Sequence, residues 1–160
     1  MATFCQEPFF QSFPFGLARY ELIVDADNNP LNYRILCCNS AFCELFGFSM
    51  AEMEGKTILE IMPQPNPAIK AGMECFGRVA LQGENESFEY YSERRKQWFQ
   101  VQVYAEGKGV ITSVFFDITY RREQDEIIRL NEEKYHTLFE SMTKGVFYQA
   151  AINPIRFLPI

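Results

Sequence analysis

Histidine is almost missing from this chain, and its scarcity removes more functions than any other absence. A single histidine, His136, and a single tryptophan stand among 160 residues. Histidine supplies most general bases and many metal ligands near neutral pH, so chemistry that needs two of them has no residues to work with. Gly-x-Ser-x-Gly, a phosphate-cradling glycine loop and His-Glu-x-x-His are also absent. The charge balance, 15 Lys and Arg against 21 Asp and Glu, gives a net charge of −6 and no basic stripe. Nucleic acid is therefore not an expected partner. No run of roughly 18 apolar residues occurs, and Met1-Ala2-Thr3-Phe4-Cys5-Gln6-Glu7 carries no basic n-region. Neither a membrane-spanning segment nor direct membrane contact is expected, although a longer parent chain is free to have either. The five cysteines form no Cys-x-x-Cys, and Cys37 and Cys38 are neighbours. Reduced, half-buried thiols in a cytoplasmic protein are the expectation, with no metal site.

What is present is apolar and aromatic: 48% and 16% of residues, ample for a packed core. Phe4, Phe9, Phe10, Phe13 and Phe15 crowd the first sixteen residues, and each is worth about 1.5–3 kcal/mol when buried. This aromatic cap (1–16) is expected to pack on its own sheet or on a partner chain. Leu17 to Asp25 and Leu31 to Cys38 read as a hairpin around the turn cluster Asp27-Asn28-Asn29-Pro30. Asn39 or Ser40 caps a helix from Ala41 to Phe46, Ser49 caps a turn through Met53, and Thr57 to Met62 makes one more. After Pro63, Pro65 and Pro67 the longest internal helix runs from Ala68 to Leu81, with Gly72 and Gly77 either weakening it or letting it approach a neighbour. Alternation then returns in Ser87–Ser92, Gln97–Tyr104 and Gly109–Phe116, joined by a charged turn at 93–96 and a glycine turn at 106–109.

At Asp117-Ile118-Thr119 the character changes. From Tyr120 to Met142 there is no Gly or Pro, and apolar residues are spaced for a helix. Asp117 or Thr119 is a suitable cap, and Asp117 is also expected to pair with a nearby Lys or Arg. Gln124, Ile128, Asn131, Tyr135, Leu138 and Met142 recur at alternating spacings of four and three, the seam of a short coiled coil with two polar interruptions. Beyond it, Phe139-Glu140-Ser141-Met142-Thr143-Lys144-Gly145-Val146 parallels Phe10-Gln11-Ser12-Phe13-Pro14-Phe15-Gly16-Leu17 at an offset of 139 − 10 = 129, with Phe, Ser and Gly identical. The expected organisation is a cap (1–16), a core domain (17–119), a linker helix (120–142) and the truncated start of a second copy (143–160).

Several short stretches, in this order and spacing, carry a resemblance to the PAS domain family. They are Pro14-Phe15-Gly16, the turn before Leu31, Asn39-Ser40-Ala41-Phe42, Leu45-Phe46-Gly47-Phe48-Ser49, Gly55-Lys56, Gln97-Trp98-Phe99-x-Val101 and Asp117-Ile118-Thr119. Tyr135-His136-x-Leu138-Phe139-Glu140 resembles the lead-in to another such domain. The resemblance implies an α+β fold: a five-stranded antiparallel sheet in order 2-1-5-4-3, short helices on one face and a C-terminal signalling helix. It also implies a sensory and dimerising module, of the kind found in histidine kinases, diguanylate cyclases and transcription regulators. Such a module relays a core rearrangement through Asp117, Ile118 and Thr119 into the exit helix and on to an output domain in cis. A homodimer through the cap and the exit helix is the expected assembly.

Cofactors are judged against the same resemblance. Haem-binding members use a histidine on the long internal helix, and Ala68–Leu81 has none, leaving Met73 or Cys75 as poor substitutes. Flavin-binding light-oxygen-voltage members carry Asn-Cys-Arg-Phe-Leu-Gln where this chain has Lys56-Thr57-Ile58-Leu59-Glu60-Ile61. No haem or flavin is expected, so purified protein is expected to be colourless, and a stoichiometric Soret or flavin band in its spectrum contradicts this. Phe42, Phe46, Ile61, Met73, Phe76, Phe88, Val101, Val103, Ile111 and Phe115 are the expected core walls. They either fill the core outright, the favoured expectation, or enclose a small apolar or aromatic metabolite, the alternative. A small α+β enzyme is the alternative of another class. It needs a carboxylate or histidine inside its pocket, whereas this set makes a dry one. Glu84, Glu86 and Glu89 are read as the wet face of a strand, and His136 as a solvated helix residue.

Overall fold

Period-two alternation dominates the middle and end of the core domain, and it folds there into one sheet. The computed structural model describes residues 7–152, with side chains from 7 to 144. Phe4 and residues 153–160, the last eight of the segment read as a second copy (143–160), lie outside the described residues. Strands β1 (Gly16–Val24), β2 (Pro30–Cys38), β3 (Glu86–Ser92), β4 (Gln97–Gly107) and β5 (Val110–Asp117) pair in the order β2-β1-β5-β4-β3, antiparallel throughout. The expected sheet order holds, and it places β5 at the centre. Lys108 and Gly109 both take positive φ, +54° and +75°, the pair of left-handed residues that a two-residue hairpin loop needs.

One short helix, α1 (Pro8–Gln11), precedes β1, and four more connect β2 to β3: α2 (Ser40–Phe46), α3 (Met50–Met53), α4 (Ile58–Ile61) and the four-turn α5 (Pro67–Gln82). Of the two candidate caps for α2, Asn39 does the work: its Oδ1 accepts from the Phe42 amide at 3.0 Å. Arg94, in the β3–β4 turn, reaches back to donate to the Glu44 carbonyl at 2.7 Å, satisfying the other end of α2. Thr57 and Glu60 hold α4 reciprocally, the Thr57 amide donating to the Glu60 carboxylate at 2.7 Å and the Glu60 amide to Thr57 Oγ1 at 3.3 Å.

Gly77 explains why α5 lies so close to β2. A Cβ there stands 2.8 Å from Pro30 Cγ and 2.9 Å from the Tyr33 hydroxyl, and that hydroxyl donates to the Met73 carbonyl. Alanine normally favours a helix over glycine by about 1 kcal/mol, but the proline ring cannot swing aside. Gly77→Ala is expected to destabilise by about 1–3 kcal/mol, read as a lowered urea midpoint with an unchanged slope. A raised midpoint contradicts this packing.

The aromatic arm packs on its own sheet, on the face opposite the helices. Phe10 is buried with Leu17, Cys37 and Val114, and Phe13, Phe15 and Phe116 close over them. Gln11 latches the arm, donating to the Cys38 carbonyl at 3.2 Å and accepting from the Ser40 amide at 3.0 Å. Cys38, Cys43 and Cys75 are free thiols, as expected. Cys37 departs from that expectation, being disulfide-bonded.

The chain divides into two compact units at Thr119 and Tyr120. The second holds most of α6 (Thr119–Ile152), which runs ten residues past the expected end at Met142. It continues through Gly145, the residue that pairs with Gly16 in the repeat reading. Among the described residues, no helix is long and apolar enough to cross a membrane.

Candidate functional site

The inward faces of the sheet and the helices α2 to α5 leave a cavity of about 50 Å³. Seven expected wall residues line it: Phe42, Phe46, Ile61, Met73, Phe76, Phe88 and Phe115. Val101, Val103 and Ile111 do not. They are fully buried in the sheet's centre and belong to the solid part of the core. The walls also include residues the sequence reading left out, among them Tyr20, Ile35, Met53, Ile58, Met62, Ile69 and Tyr90. Phe115 anchors the aromatic packing, with ring centroids 5.5 Å from Phe42, 5.7 Å from Phe46 and 6.3 Å from Tyr90.

The lining is apolar in its chemistry as well as its composition. Of its two phenol groups, Tyr20 is engaged on the sheet, its hydroxyl accepting from the Ser113 hydroxyl at 3.2 Å. Burial pushes the Tyr20 phenol well above its ordinary pKa, so it stays protonated. Among the described residues no buried side-chain nitrogen or oxygen lacks a hydrogen-bond partner.

Two residues beyond Phe115, β5 ends in the joint that the sequence singled out. Asp117 stands opposite Phe99 in the ladder. Its Oδ1 accepts from the Thr119 amide at 2.9 Å, the first amide of α6, and its Oδ2 accepts from Gln97 Nε2 at 2.8 Å. The expected cationic partner is thus replaced by a neutral amide across the strand. Backbone closes the clamp: the Ile118 amide donates to the Trp98 carbonyl and the Trp98 amide to Thr119 Oγ1, each at 2.9 Å. Ile118 is itself buried. Asp117, Ile118 and Thr119 are therefore gathered at one place, on the end of the central strand. Trp98 went unassigned in the sequence because its part is played by its backbone.

The residues weighed for chemistry have structural partners. Glu86 holds Arg78 through two contacts, 3.0 and 2.7 Å, and accepts from the Cys75 thiol at 3.4 Å. Burial, with the Glu86 charge beside it, pushes the Cys75 thiol up to about 12, far from a reactive thiolate. His136 is exposed on α6, 3.7 Å from Glu140. Among the described residues no group of three or more His, Cys, Asp or Glu is placed to hold a metal.

On α6, all six seam residues from Gln124 to Met142 are exposed, and so are Ile127, Leu130 and Phe139, which lie off the seam. The apolar stripe is broader than the seam alone. Arg129 sits between Glu126 and Glu133, giving the polar face of the helix an i,i+3 and i,i+4 ion-pair set.

Comparison with known proteins agrees with this geometry. The family model described as "PAS domain" matches residues 22–120. The PAS domain of Bordetella pertussis BvgS is 25% identical, with a TM-score of 0.50 over 83% of this chain and 93% of that one. An RNA-binding light-oxygen-voltage receptor superposes with a TM-score of 0.54 at 16% identity, over 81% of this chain and 36% of that one. A domain of an HTR-like protein from Haloarcula marismortui gives 0.49 at 17% identity, over 67% of this chain and all of that one. No curated protein sequence matches. The chain belongs to the PAS domain family. It is a PAS signalling module, built on a sensory rather than a catalytic fold.

Proposed function

We propose that this module relays the state of its apolar core to a downstream output domain through the joint at Asp117, Ile118 and Thr119. The observation that carries the reading is the continuity of β5. One strand presents Phe115 to the cavity and, two residues later, Asp117 to the first amide of α6. A ring that shifts in the cavity wall moves the same strand that the helix start is tied to. The exit helix then works as a homodimer: Ile128, Tyr135, Leu138 and Met142 supply an apolar seam that a second copy covers, and Gln124 and Asn131 keep it weak. Two close registers of such a seam are biased by about 1 kcal/mol. The aromatic arm packs on its own sheet and keeps Phe9 exposed, so the cap remains beside α6 as a contact of the proposed dimer.

Haem and flavin have no place in this reading. The cavity walls offer no histidine and no thiol, and a volume of about 50 Å³ is far below that of either group. The test of the assembly is sedimentation of the chain over a range of concentrations. Wild type is expected to dimerise reversibly, and Ile128→Glu, exposed on α6 and outside the core domain, to weaken the dimer at least about tenfold without lowering the melting temperature of the sheet domain. Unchanged association in the variant removes the seam from the account.

A further inference from the structure

Cys37 is disulfide-bonded, and the cysteine inventory names its partner. The chain has five cysteines, of which Cys38, Cys43 and Cys75 are free thiols. We infer that Cys5 is the partner of Cys37, and that the bond between them is a redox-operated strap holding the aromatic arm to the sheet. The strap stands apart from the relay proposed above and needs no part of it. Cys5 comes five positions before Phe10, and Phe10 packs with Cys37, Leu17 and Val114 in one buried cluster. Five residues span up to about 17 Å, which brings Cys5 within range of Cys37 while the arm stays docked. Successive side chains of β2 point to opposite faces, so Cys37 lies under the arm and Cys38 lies in the helix-side core, its Sγ 3.5 Å from that of Cys43. Burial pushes the thiols of Cys38, Cys43 and Cys75 up, so they stay protonated and attack the bond poorly. Reduction therefore opens one bond without reshuffling it.

A low-molecular-weight thiol such as glutathione, written RSH, supplies the two electrons. The first RSH forms a mixed disulfide with one protein sulfur and releases the other as a thiol. A second RSH displaces the remaining protein sulfur and leaves as RSSR, so two protein thiols result; RSSR reverses both steps. Without the strap the arm is held by Phe10 and by Gln11, which donates to the Cys38 carbonyl at 3.2 Å and accepts from the Ser40 amide at 3.0 Å. A cross-link over 37 − 5 = 32 positions restricts a lifted arm. Cutting it lets the arm leave more often and uncovers Leu17 and Val114.

The test takes the whole chain in oxidised and reduced glutathione. Free thiols are blocked, the protein is digested with trypsin without reduction, and the peptides are weighed. Residues 1–19 are expected to be linked to residues 35–56, with Cys38 and Cys43 carrying the blocking group, and the link is expected to be absent in Cys5→Ser. Amide exchange then reads the arm. The Ser40 amide, held by Gln11, should exchange at least about tenfold faster in the reduced protein, while the Phe42 amide, held by Asn39 at 3.0 Å, keeps its rate. Cys5→Ser, which alters no residue of the sheet, should show the faster Ser40 rate with or without reductant. Three results overturn the inference: no linkage between those two peptides, a bond that millimolar reduced glutathione leaves intact in the folded protein, or equal Ser40 exchange in the two forms.

Discussion

Asn39→Ala is expected to cost about 3 kcal/mol or more, a large share of the 5–15 kcal/mol that holds a domain of this size together. Asn39 is completely buried, and three of its side-chain contacts are made at once. Its Oδ1 accepts from the Leu17 amide at 2.9 Å and the Phe42 amide at 3.0 Å, while its Nδ2 donates to the Phe15 carbonyl at 2.9 Å. Alanine removes a helix cap, worth about 0.5–2 kcal/mol. It also strands two further backbone groups at about 1–3 kcal/mol apiece, less where water enters. The damage spreads, because this one side chain joins the arm, the start of β1 and the helix that carries Phe42 and Phe46. Urea unfolding should show the midpoint falling sharply. Asn39→Ser, which keeps an acceptor for Phe42 but loses the reach to Phe15, should fall between. Equal stabilities for Ala and Ser contradict the assignment of the cap.

Asp117→Ala should behave in the opposite sense, with a small cost in stability and a large one in regulation. It removes one helix-initiating acceptor and the Gln97 contact, about 1 kcal/mol in all, while the backbone clamp to Trp98 remains. A shift of that size between two nearly balanced helix registers changes their ratio about fivefold. Joined through α6 to a reporter output domain, the variant should fix output near one extreme. Glu93→Ala, at an exposed turn residue paired with Lys96, should leave regulation as it was. Wild-type regulation in both variants removes the joint from the mechanism.

The strands were legible because alternation is strict where one face is buried. Phe99, Val101 and Val103 separate cleanly from Gln100, Gln102 and Tyr104, and β4 follows that pattern. Alternation tells which side a residue faces and not how deep it lies, so Val101, Val103 and Ile111 were grouped with wall residues they sit behind. The missed walls Met53, Ile58 and Met62 lie in or beside single-turn helices, too short to display a period. The Thr57-x-x-Glu60 spacing was the available signal for one of them. The hydroxyl of Tyr20 accepts from Ser113, ninety-three residues away, a pairing that no local pattern reveals. The length of α6 was underestimated because Gly145 was matched to Gly16, a strand residue. In the structure it lies inside the helix.

The most direct test of the relay is amide hydrogen exchange at Trp98, Ile118 and Thr119 in Phe115→Leu, which alters the cavity wall and touches no atom of the joint. Val114→Ala, on the opposite face of the same strand, is the comparison. If the core is read out through β5, Phe115→Leu speeds exchange at Trp98 and Ile118 at least about tenfold beyond the change at amides elsewhere in the sheet, and Val114→Ala does not. Equal protection of the joint in both variants, once global stability is matched, contradicts the account.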